Sequence, residues 1–172
     1  MPSRPFRFDA DKGLEVLLYV SNRIKNKNIY WLLKAPYFAD KHHLEIAGRP
    51  ICGDHYIAMD KGPVPSGLYD IVKDVRDNRR ISPFVAKAKK AFEVQGTRFI
   101  ARRDANLEYL SKSDIESLDK AIAEIGHLSF AALKAKSHGP EFKQADENDE
   151  IPFDAFVESI PNGKLLLKAL RS

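Results

Sequence analysis

Residues 55–72, His55-Tyr56-Ile57-Ala58-Met59-Asp60-Lys61-Gly62-Pro63-Val64-Pro65-Ser66-Gly67-Leu68-Tyr69-Asp70-Ile71-Val72, decide how this chain is read. The first six have strand character and the last seven open a helix. Between them, Gly62 can take a backbone conformation closed to other residues. Pro63 and Pro65 each fix one dihedral and remove a backbone donor, and they push Gly62 and Val64 toward extended geometry. Lys61 to Pro65 therefore reads as a sharp, stiff turn. It serves either as a plain strand-to-helix connector or as a recognition surface.

Upstream of that turn, Ile29 to Ala47 has helical spacing, with Leu32, Leu33, Tyr37 and Leu44 on one face. Pro36 should kink this helix or begin a new one. Asp40 falls on the same apolar face, where a carboxylate needs partners or a proton; tying down the backbone of a neighbouring loop is the ordinary role for such a group. Gly48 and Pro50 end the helix, and Ile51 to Asp54 form a loop. Further upstream, Phe8 to Ile24 reads as a helix capped by Asp9.

Downstream of the turn, a helix runs to about Val75, with Leu68, Ile71 and Val72 on its inner face. Arg76, Arg79 and Arg80 form its charged exit. Ser82-Pro83 opens a basic loop or short helix carrying Lys87, Lys89 and Lys90. Ala91 to Val94 and Arg98 to Ala101 flank Gln95-Gly96-Thr97 as a hairpin, which with Tyr56 to Met59 predicts a small antiparallel sheet of about three strands. Ser111 caps the clearest helix, with Asp114 completing its capping box and Ile115, Leu118, Ile122 and Ile125 facing inward. Leu128-Ser129 begins another helix, Ser137-His138-Gly139-Pro140 a junction, and Leu165, Leu166 and Leu170 a final helix. The expected architecture is α+β: one mainly helical domain over residues 1–172, with a core at about 8–145 and a helical extension at 151–172.

A chain of 172 residues can bury a sizeable core without disulfides. Its net charge of +4 permits an acidic or nucleic-acid partner but argues only weakly for one. The lone Cys52 and the absence of a signal-peptide or membrane-spanning run point to the cytoplasm.

No phosphate loop, dinucleotide fingerprint, HExxH motif or nucleophile elbow is present, so no cofactor or metal is expected. Two chemistries stay open. Asp40, His43, Cys52 and His55 could form a metal- or cysteine-dependent hydrolase, although their spacing matches no zinc pattern and Cys52 would need a lowered pKa. The arginines at 76, 79 and 80, with Lys87 to Lys90, could serve a nucleic-acid-binding regulator, but no aromatics interleave them. Composition and spacing favour binding over catalysis.

The ordered motifs carry a resemblance. Lys34-Ala35-Pro36-Tyr37-Phe38-Ala39-Asp40 resembles the K-L-L-Y-F-A-D helix of the Panacea domain, the SocA-like antitoxin family. Gly48-Arg49-Pro50-Ile51-Cys52-Gly53-Asp54-His55-Tyr56 is similar to its G-x-P-I-x-G-x-x-Y link. Lys61-Gly62-Pro63-Val64-Pro65 with Tyr69 is similar to its GPVP turn and helix, and Leu110-Ser111 and Ser137-His138 to its downstream helix start and S-H pair. Ala35-Pro36 departs from two aliphatics. The resemblance implies an antitoxin that neutralises a cognate protein toxin by direct contact, or that delivers it to the ClpXP protease as the SocA member does. No membrane or nucleic-acid partner is implied. Lys34, Tyr37, Asp40, Tyr56, Gly62, Pro63, Val64, Tyr69 and His138 carry the pattern. Asp40 and His138 are expected to hydrogen-bond the proline-rich turn, with Tyr56 and Tyr69 flanking it.

Overall fold

The computed structural model describes residues 4–172. Helix α1, Ala10–Arg23, starts where the Asp9 side chain accepts from the Lys12 amide at 3.0 Å. It is buried on most of its circumference through Leu14, Val16, Leu17, Leu18 and Val20. Helix α2, Ile29–Ala47, is capped by Asn28 and closed by Gly48 at φ 72°. One helix spans Pro36, so neither a restart nor a break occurs there. Burial of α2 from Leu32 to Asp40 supplies the packing that outweighs the proline penalty of about 3 kcal/mol.

The proline-rich segment is not a turn. Gly62–Pro65 is strand β2, paired antiparallel with β1, Tyr56–Met59, and the chain reverses at Asp60-Lys61. Register explains how prolines fit. The Ser66 amide donates to the His55 carbonyl at 2.8 Å, so Val64 and Gly62 face β1 while Pro63 and Pro65 turn their missing donors outward. The other edge of β1 is taken by residues 148–151: the Ala58 amide donates to Asp149 O at 2.9 Å, and the Ile151 amide to Tyr56 O at 2.8 Å.

Helix α3, Ser66–Asp77, leads to α4, Pro83–Ala91, whose Ser82 cap accepts from the Val85 amide at 3.1 Å. Strands β3, Phe92–Gln95, and β4, Arg98–Ala101, form a second hairpin that does not join the first. The expected three-stranded sheet is thus two separate ribbons. The linker before α2 occupies the free side of β4, where the Phe99 amide donates to Lys27 O at 2.9 Å and the Ile29 amide to Thr97 O at 2.8 Å. With the free side of β1 paired to residues 148–151 and that of β4 to the linker before α2, neither offers an edge to the other hairpin.

Helix α5, Lys112–Ile125, carries the expected Ser111–Asp114 capping box and packs along α2. Its buried stripe is Leu118, Ala121 and Ile125, with Ile115 and Ile122 at its margin. Helices α6, Phe130–Ser137, and α7, Pro140–Lys143, follow, then α8, Phe153–Glu158, and α9, Gly163–Leu170. The last two belong to the same core: Phe156 stacks on Tyr56 at 5.1 Å and meets Tyr37 at 5.5 Å. No helix among the described residues is long and apolar enough to cross a membrane.

Candidate partner-binding site

One face of α2 builds the site. Lys34, Tyr37 and Asp40 recur every three residues, so they share that face. Lys34 is 1% exposed; its ammonium donates to Pro63 O at 2.7 Å and lies 4.5 Å from the Tyr30 ring centroid. Burial without a carboxylate partner pushes its pKa down to about 7. The Tyr30 hydroxyl donates to Lys61 O at 2.7 Å. Lys34 and Tyr30 therefore clamp the outer edge of β2, where the prolines offer no donors.

Asp40 works elsewhere. Its Oδ1 accepts from the Ile51 amide at 2.8 Å and its Oδ2 from the Tyr56 hydroxyl at 2.5 Å. Complete burial still raises its carboxyl to about 7. The Tyr37 hydroxyl and Lys41 ammonium both reach Glu141 Oε1, anchoring α7 to α2. The Nδ1 atom of His138 lies 2.6 Å from Lys134 O, and its ring packs edge-on against Phe142 at 4.3 Å. The expected bonds from Asp40 and His138 to the proline-rich segment are not made. A carboxylate had no donor to meet at prolines, whereas a lysine found a free carbonyl.

Gly62 has φ +118°, and a Cβ there would stand 2.5 Å from Ser137 Oγ. Glycine thus lets α6 close against β2. Tyr56 is core, 3% exposed, while Tyr69 and Val64 remain partly exposed. These two line an open cleft of about 380 Å³ with Tyr30, Trp31, Lys34 and Phe130. Phe130 is 41% exposed and lies 4.7 Å from the Tyr30 ring. Sequence reasoning missed Tyr30, Trp31 and Phe130. The adjacent aromatics opening α2 were a visible signal, but Phe130 is brought in only by the fold.

A family model described as "Antitoxin SocA-like, Panacea domain" matches residues 32–143. The chain belongs to that family. Neither the curated proteins nor the solved structures contain a match. All the pattern residues named above, Lys34 to His138, lie inside the Panacea match. Most of them hold the domain together and leave Val64, Tyr69 and half-buried His138 nearer the surface.

The alternative chemistries find little geometry in this Panacea domain. Cys52 is buried, and desolvation with Asp40 and Asp54 nearby raises its thiol well above the usual range, opposite to what a nucleophile needs. Asp54 caps α3 by accepting from the Gly67 and Leu68 amides at 2.8 and 3.0 Å. His43 Nδ1 faces Arg49 O at 2.6 Å, and its Nε2 faces Ser113 Oγ at 2.9 Å. No cluster of three or more metal-ligating side chains occurs among the described residues. Arg76 pairs with Asp77, Arg79 and Arg80 pair with Asp70 and Asp74, and Lys87 pairs with Asp11. Their charges are therefore largely answered within the chain.

Proposed function

We propose that this protein neutralises a cognate protein toxin by binding it directly, through the face where Val64, Tyr69 and Phe130 surround the aromatic cleft. Family membership supports an antitoxin role. The observation that carries the contact surface is a partly open cleft built on a strand whose backbone is locked by Lys34, Tyr30 and two prolines. A surface that is already ordered loses little conformational entropy on binding.

Co-expression with the product of the neighbouring gene, tested first for toxicity on its own, tests the proposal. Wild type relieves growth arrest and co-purifies with the toxin. Val64→Asp or Tyr69→Ala weakens both while the circular dichroism spectrum is kept. Relief that survives every substitution around the cleft refutes this surface. Relief in cells lacking ClpXP selects occlusion; relief that depends on the protease, with a shortened toxin half-life, selects delivery.

A further inference from the structure

The cleft does not end at its aromatic wall. Asn28 and Thr97 line it and also line a second depression of about 360 Å³, whose other walls are Lys25, Asn26, Lys27 and Arg98. Along this continuous surface Lys25, Lys27, Lys61 and Arg98 form no ion pair with any carboxylate among the described residues. Other lysines, Lys120 and Lys168 among them, also lack a carboxylate partner among the described residues, whereas Arg23, Arg102 and Arg103 each have one at 3.0 Å or closer. What sets this surface apart is that its four cations share two adjoining linings. Asp60 is the one acidic residue on either lining. Burial lowers the pKa of Lys27, and the nearby Arg98 charge lowers it further. Like charges left together without counter-charge make a site of positive potential.

The apolar half sets a second requirement. Tyr30 meets Trp31 edge-on at 5.6 Å and Phe130 at 4.7 Å, so the rings pack on one another and leave no free pair of parallel faces for a base. Ile29, Leu33 and Val64 complete an aliphatic lining suited to one or two large side chains.

We infer that this composite surface takes an acidic protein segment with an apolar anchor: the anchor fills the cleft, and carboxylates beside it face Lys61, Lys25 and Arg98. This rests on the direct-binding function proposed above and adds the chemistry of the toxin's segment.

The test uses the purified complex of the full chain with the toxin identified by the co-expression assay above. Carbodiimide coupling joins Lys25 or Lys61 to toxin Asp or Glu residues. The double variant Lys25→Glu/Arg98→Glu raises Kd about tenfold or more at low salt, chiefly through slower association, and the difference shrinks at high salt. Phe130→Ala raises Kd by at least about tenfold through faster dissociation. Lys168→Glu, exposed on α9, leaves Kd unchanged. A complex that forms and relieves arrest, yet shows no such cross-link and no change in Kd with the cleft variants, overturns the assignment and leaves direct binding standing. Displacement of the toxin by single-stranded oligo-dT gives the surface to nucleic acid and also overturns it. Failure to form any complex overturns the proposed function and this inference together.

Discussion

Replacing Asp40 with asparagine should make this protein more stable at alkaline pH. The Asp40 carboxyl is 2% exposed and raised from 3.8 to about 7, chiefly by burial. A carboxyl raised on folding favours its protonated form in the folded state. Its contribution is therefore fully present below the unfolded pKa and is lost as pH rises through the folded one. Between about pH 4.5 and about pH 8 the loss amounts to about 3 kcal/mol, at about 1.4 kcal/mol per pH unit. Asparagine imitates the protonated acid. Its Oδ1 can accept from the Ile51 amide, and its Nδ2 can donate to the Tyr56 oxygen while that hydroxyl donates to Pro36 O, now 3.2 Å away. Urea unfolding of both proteins at the two pH values is the assay. Asp40→Asn should match wild type near pH 4.5 and exceed it by about 3 kcal/mol near pH 8. Parallel pH profiles would refute the reasoning, because Asp40 would then ionise as an exposed carboxyl does. Asp40→Ala is the contrast: it orphans the buried Ile51 amide and should be about 1–3 kcal/mol less stable than Asp40→Asn at both pH values.

Lys34 gives the complementary pH window. Its folded pKa, lowered to about 7, makes wild type gain stability as pH rises from about 7 to about 10, and Lys34→Met should lack that rise in urea titrations. Gly62→Ala should lose about 2–4 kcal/mol, since φ +118° and a 2.5 Å approach to Ser137 Oγ both oppose a methyl group; Gly96→Ala, at φ +63° with open space around it, should lose only about 1 kcal/mol in the same assay. Phe156→Ala should cost about 3–5 kcal/mol in thermal or urea unfolding, because the ring stacks on Tyr56 and packs on Tyr37. A loss below about 1 kcal/mol would show α8 to be an appendage rather than part of the core.

Local chemistry was legible in the sequence. The Asp9 cap, the limits of α2 at Ile29 and Ala47, the left-handed Gly48, the Ser111–Asp114 capping box and strand β1 all depend on residues within a few positions of one another. The family pattern was legible for the same reason, since it consists of short motifs in fixed order. What the proline-rich segment becomes was not legible. Proline and glycine preferences fit a turn and an edge strand equally, and only pairing with β1 and the Lys34 ammonium select the strand. Nor could the sequence show which carboxylate or cation holds which backbone, because Asp40 meets Ile51 and Tyr56 while His138 meets Lys134. The cleft draws on Tyr30, Val64 and Phe130, residues far apart in the chain. Periodicity determines which face of a helix is apolar; which partner that face meets is decided by how distant elements close their edges against one another.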